Sequence, residues 1–144
     1  MTDLPAALAE IRTDFRELGI KDRLQLLLEF SNELPELPEQ YQDHPDLFER
    51  VEECQSPVFI FVEIDDAKVV HLWATAPKEA PTTRGFASIL AQSLDGLTPE
   101  QVLAVPDDFP QTIGLSEAVS PLRLRGMSAL LGRTKRQIRA HLAA

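Results

Sequence analysis

The hydrophobic period of this chain changes twice, from helical spacing to strand-like runs and back, which limits it to folds in which a small sheet is covered by helices. Leu4, Leu8, Ile11, Phe15 and Leu18 recur at spacings of three and four, the stripe of an amphipathic helix that Gly19 can end. A second helix is expected from Arg23 to Asn32, with Asp22 as N-cap and Leu24, Leu27, Leu28 and Phe30 as its apolar face. The prolines of Leu34-Pro35-Glu36-Leu37-Pro38 stop it, and Glu39 to Pro45 reads as polar loop.

The period then switches. Val58-Phe59-Ile60-Phe61-Val62-Glu63-Ile64 is short and rich in β-branched and aromatic residues, as a largely buried strand would be. Asp65-Asp66-Ala67-Lys68 reads as a turn and Val69 to Ala74 as the antiparallel return. Phe48 to Glu52 is the candidate third strand. Cys54 then falls in a tight connection, with Pro57 at the first position of the next strand, where a missing amide costs least.

Helical signals return in the second half. Thr82 or Thr83 can cap a helix carrying Phe86, Ile89, Leu90 and Leu94, closed by Gly96. Thr98-Pro99-Glu100-Gln101 has the N-cap, N1 proline and N3 glutamine of a helix start, and Ser120-Pro121 opens a long last helix through Leu142. The sum is α+β, and 144 residues suit one domain spanning 1–144.

Charge is divided along the chain. Residues 118–144 carry +6 and residues 1–117 carry −15, so the last helix is expected to pair with the acidic remainder. Six cations without interleaved aromatics, in an acidic protein, argue against nucleic acid as a partner. No apolar run approaches the roughly 20 residues of a membrane helix, and Met1 to Pro5 lack the basic and apolar regions of a leader, so a cytoplasmic, membrane-free protein is expected.

The chemistry-bearing residue is the only cysteine, Cys54. Glu52, Glu53, Gln55, Ser56 and Pro57 make a polar, turn-like setting, in which exposure at a loop tip is expected. An ordinary thiol is only a few per cent ionised at neutral pH, and Glu49, Glu52 and Glu53 oppose ionisation further. Activation then has to come from a cation brought in by the fold, Arg123 or Arg125, or from a partner's active site. His44, His71 and His141 are scattered and no cysteine-protease signature surrounds Cys54, so hydrolysis is the lesser alternative. No metal-ligand spacing and no phosphate-binding glycine loop is present; no metal or cofactor is expected.

Leu34-Pro35-Glu36-Leu37, Cys54-Gln55-Ser56 before Val58-Phe59-Ile60, Gly85, Gly96-Leu97-Thr98-Pro99-Glu100, Gly114-Leu115 and Ser120 to Met127 occur in the order found in SufE-like proteins. Over nearly its whole length the chain resembles that family. The resemblance implies a SufE/NifU-like fold, a three-stranded antiparallel sheet with helices packed against it. It also implies a sulfur-acceptor role: Cys54 receives persulfide sulfur from a pyridoxal-phosphate-dependent, SufS-like cysteine desulfurase, stimulates that enzyme, and passes the sulfur to an iron–sulfur scaffold of the SufBCD type. By the same resemblance the protein holds no pyridoxal phosphate or cluster of its own, turns over nothing alone, and is a monomer or weak homodimer. Arg123 falls on the family's arginine three residues before a glycine, a position to support the thiolate or the cysteine loop, while Gln55 and Ser56 shape that loop.

Two positions, and the segment Ala76 to Pro81 before the Gly85 helix, depart from the family pattern. Glu53 stands where glycine commonly precedes the cysteine, and Phe59 where tryptophan is common. Glu53 restricts the backbone and puts a charge beside the thiol, which leaves open a binding module that modulates a desulfurase without carrying sulfur.

Overall fold

A computed structural model describes residues 4–144; Met1, Thr2 and Asp3, part of the stretch read for a leader signal, lie outside the described residues. Two helices, α1 (Ala6–Arg16) and α2 (Ile20–Asn32), precede a short α3 (Glu39–Gln42) and a single 3₁₀ turn. Strands β1 (Glu49–Arg50), β2 (Phe59–Ile64) and β3 (Val70–Thr75) follow, then α4 (Pro81–Leu94), α5 (Pro99–Leu103), α6 (Phe109–Thr112), another 3₁₀ turn and α7 (Pro121–Ala143). The sheet is antiparallel in the order β1-β2-β3, which is the expected α+β architecture.

Alternation along the strands sorts their faces. Ile60, Val62, Val70, Leu72 and Ala74 point into the core, where α4 packs on β3 and α7 on β2. Phe59, Phe61 and Trp73 are only half-buried on the opposite face, so β2 is covered on one side rather than enclosed. That second face is partly shielded by Tyr41 and Phe48, whose rings lie 5.2 and 5.6 Å from that of Phe61. The segment expected as polar loop therefore contains a helical turn, because Tyr41 gains more by covering Phe61 than by staying in water.

Several boundaries move. Gly19, not Asp22, is the N-cap of α2, and Asp22 lies in its first turn. Helix α4 starts at Pro81 with Ala80 before it, so Thr82 and Thr83 are inside the helix and no side chain caps it. The fixed φ of a proline at N1 replaces the cap. The first strand is two residues rather than five: after Arg50 the chain makes one more bond, Val51 N–H to the Val58 carbonyl at 2.8 Å, and then turns away. The starts at Thr98 and Ser120 are as expected, with a reciprocal capping box between Thr98 and Gln101 and the Ser120 hydroxyl accepting from the Arg123 amide.

Helices α2 and α4 cross at a glycine. A methyl group on Gly85 would meet the Leu27 carbonyl oxygen at 2.2 Å, so only a bare backbone permits this approach.

Candidate functional site

Cys54 sits in the connection between β1 and β2, as its sequence neighbours imply, but it is not exposed. Only 7% of the residue reaches solvent. Val51 and Val58 are fully buried at the two ends of the loop, and the Cys54 amide donates to the Val51 carbonyl at 3.0 Å, which folds the loop down onto α7. Gly126 of α7 accommodates it: the Cys54 thiol lies 3.7 Å from the Gly126 carbonyl oxygen, as a weak S–H donor.

Burial and charge both act on this thiol. Loss of water, then the neighbouring Glu53 carboxylate, push its pKa up from an ordinary 9.0 to about 11, and the Arg133 guanidinium only partly offsets them. The resting residue is a neutral thiol.

The acids around it are tied down. Arg133 donates from Nε to Glu53 at 2.8 Å and from Nη1 to Glu49 at 2.6 Å, while Arg136 also contacts Glu49. Gln137 completes the cluster, its amide nitrogen donating to Glu49 at 2.9 Å and its amide oxygen accepting from the Val62 amide at 2.8 Å. One face of α7 thus holds both β1 and the cysteine loop. This is the expected pairing of the basic helix with the acidic remainder, concentrated at one place. Hydrogen bonding from Arg133 holds the Glu53 carboxyl below its ordinary pKa.

A cavity of about 230 Å³ opens beside the sulfur. Glu53, Cys54, Gln55 and Ser56 form one wall; Thr83 of α4 and Ser120, Leu122 and Arg123 at the start of α7 form the others. Cys54 and Arg123 are thus brought to one cavity. Among the described residues no carboxylate pairs with Arg123, whose guanidinium donates to the Thr82 hydroxyl at 3.1 Å. Arg125, the other candidate cation, does not line the cavity. Gln55 and Ser56 make no side-chain hydrogen bond among the described residues; the bonds closing the loop are those of Val51, Cys54 and Val58 backbone.

The hydrolase alternative finds no base. His71 lies between Asp95 and Asp65, at 2.6 and 2.8 Å, His141 reaches the Val62 carbonyl at 3.1 Å, and His44 faces Asp46 at 3.9 Å. None lines the cavity.

Sequence reasoning passed over Arg133 as one cation of a basic tail. Its spacing from Gly126 was the available signal: seven residues are two helical turns, so the residue that accommodates the cysteine loop and the one that grips it share a face. Thr83 carries no such signal, since a threonine before an apolar helical stripe reads as a cap.

A model of the SufE family, described as an Fe-S metabolism associated domain, matches residues 9–138. The chain belongs to the SufE family. An uncharacterised SufE-like protein of Mycobacterium tuberculosis is 54% identical over 136 residues, 94% of each chain. A protein of Plasmodium vivax named cysteine desulfuration protein SufE is 30% identical over 84 residues, covering 57% of this chain and 34% of that one. The solution structure of a hypothetical protein from Thermus thermophilus superposes with a TM-score of 0.84 at 37% identity, over 99% of this chain and 100% of that one. The SufE assignment therefore covers the sheet, the cysteine loop and most of α7. Among the described residues no helix is long and apolar enough to cross a membrane.

Proposed function

We propose that this SufE-family protein is a sulfur acceptor in iron–sulfur metabolism, taking sulfur onto Cys54 from the persulfide of a pyridoxal-phosphate-dependent cysteine desulfurase. The observation that carries the reading is the position of the sole cysteine, on a short loop between strands, at the wall of a cavity that also holds Arg123. In the transfer, the Cys54 thiolate attacks the outer sulfur of the desulfurase persulfide. A new S–S bond forms on Cys54, the old one breaks, and the desulfurase cysteine leaves as thiolate, with no net oxidation. The protein then hands the sulfur to an iron–sulfur scaffold, acting as one domain in the cytoplasm.

The resting geometry has a consequence for this chemistry. With a pKa of about 11, Cys54 is thiolate in only about one molecule in ten thousand at pH 7. Swinging the loop off Gly126 into a partner's active site removes the burial that dominates the shift, and a thiol returned to its ordinary 9.0 gains roughly a hundredfold in thiolate. Arg123, with no carboxylate partner among the described residues, supports the developing charge, and Gln55 and Ser56 travel with the loop. Turnover therefore belongs to the complex, in which the desulfurase is stimulated because its persulfide is discharged.

Incubation with a cysteine desulfurase and cysteine should add one sulfur mass to the wild type and none to Cys54→Ser, by intact-protein mass spectrometry. A wild type that gains no sulfur while the desulfurase turns over would sink the reading. Full stimulation by Cys54→Ala would instead assign a module that modulates the desulfurase without carrying sulfur.

A further inference from the structure

The cavity beside Cys54 is built for more than the sulfur atom. Its volume of about 230 Å³ is several times the roughly 30 Å³ share of one water molecule, whereas a persulfide adds a single atom. Part of its lining favours anions. The N-termini of α4, 14 residues long, and α7, 23 residues long, contribute Thr83 and Ser120 to it, and helix N-termini favour anions. Among the described residues the amide N–H groups of Thr82 and Thr83 have no acceptor, since α4 has no side-chain cap and its first backbone bond into the preceding turn is that of Arg84. Arg123 adds a guanidinium with no carboxylate partner among the described residues.

Thr83 is the independent observation. The residue is 93% buried by its 7% exposure, lines the cavity, and its hydroxyl makes no hydrogen bond among the described residues. No sealed side-chain polar atom among those residues lacks a partner, so that hydroxyl is open to the cavity and offers a donor there. The one acid on the wall, Glu53, is held by Arg133 at 2.8 Å.

We propose that the cavity binds a small thiol bearing a carboxylate, anchored by Arg123 and Thr83, and that this thiol collects sulfur from Cys54. The inference rests on Cys54 carrying a persulfide. A ligand in the cavity meets both the anion-binding groups and the Cys54 sulfur, so it needs an anionic group and a nucleophile for sulfane sulfur. The thiolate of the small molecule attacks the outer sulfur of the Cys54 persulfide. Its new S–S bond forms as the Cys54–S bond breaks, leaving a small-molecule persulfide and the Cys54 thiolate, which takes up a proton. No oxidant or reductant is required.

The test uses mercaptoacetate and its neutral isostere mercaptoacetamide. Wild-type protein is loaded by a desulfurase, separated from it, and mixed with each thiol; loss of one sulfur mass is followed, with rates referred to each compound's thiolate concentration. Discharge by mercaptoacetate should saturate, its preference over the amide should exceed by about tenfold the preference the same two thiols show toward a small-molecule persulfide, and Arg123→Gln and Thr83→Val should each reduce that preference. A preference no greater than that toward the small-molecule persulfide, or an unchanged preference in both variants, overturns the proposal. A second arm needs no sulfur transfer: mercaptoacetate titrated into Cys54→Ser should give saturable amide shifts at Thr83 and Arg123 in NMR spectra, reduced in the Arg123→Gln double variant. No saturable shift there overturns the site, whereas failure of the wild type to load with sulfur, with the shifts present, overturns the acceptor function and leaves the anion site standing.

Discussion

The Cys54 sulfur rests against the backbone of Gly126: it lies 3.7 Å from that residue's carbonyl oxygen, and a methyl group added at Gly126 would stand 3.0 Å from the sulfur. The loop lies flat because the helix beneath it has no side chain at this position. Burial of the thiol, and with it the larger part of its raised pKa, follows from that contact.

Gly126→Ala should push the thiol outward without unfolding the protein. Alanine in a helix interior is worth about 1 kcal/mol over glycine, which offsets part of the crowding, and the Cys54 Cα at 3.7 Å from the added methyl is in ordinary contact. Alkylation of Cys54 by iodoacetamide is expected to quicken several-fold, with stability to urea changed by no more than about 1 kcal/mol.

The thiol titrates late. Native Cys54 should be alkylated with a rate that climbs until pH reaches about 11, whereas the urea-unfolded chain levels off near about 8.5. The folded form holds its proton above the pH at which the unfolded form loses it. The contribution to stability is therefore complete below the unfolded pKa and is lost as pH rises from about 9 through about 11. Cys54→Ala should lack that loss.

Arg133 is the clamp on the loop. Replacing it by methionine leaves Glu53 without its cation and Glu49 with Arg136 and Gln137 alone, and should cost about 2 kcal/mol in denaturant unfolding. Its bond holds the Glu53 carboxyl below the ordinary 4.5, so Glu53 adds stability that is present above that pH and lost as pH falls through the depressed folded value. In Arg133→Met this part of the acid transition should shrink, to what the loop's own backbone bond and Arg125 still supply.

Gly85→Ala tests the helix crossing. With the Leu27 carbonyl 2.2 Å from the new methyl, backbone has to move, and a loss of about 3 kcal/mol is expected. Thermal unfolding measures it.

His71 should hold its charge to a higher pH than an ordinary histidine. Ionised carboxylates accept only, so ring nitrogens at 2.8 Å from Asp65 and 2.6 Å from Asp95 both carry protons. The bonds to Asp65, then Asp95, raise its pKa above 6.5. The stabilisation is complete below the unfolded value and lost as pH rises through the elevated folded one. An NMR titration of the imidazole should show this, and Asp95→Asn should bring the midpoint down.

The amino-acid sequence alone determined the order and type of the main elements, because hydrophobic period is a local property: stripes at Leu8 and Phe15, at Phe86 and Leu90, and the strand run from Val58 are each legible within one window. The caps at Thr98 and Ser120 were legible for the same reason, and so was the place of Cys54 between two strands. Tertiary structure decided what those windows cannot contain. Whether the polar loop around Cys54 lies exposed or flat depends on Gly126, 72 residues away in the chain, and whether Glu53 acts as a bare charge depends on Arg133, 80 residues away. Burial and ion pairing are set by which surfaces meet, and here the meeting turned an exposed-looking cysteine into a protected thiol at the wall of a cavity it shares with Arg123.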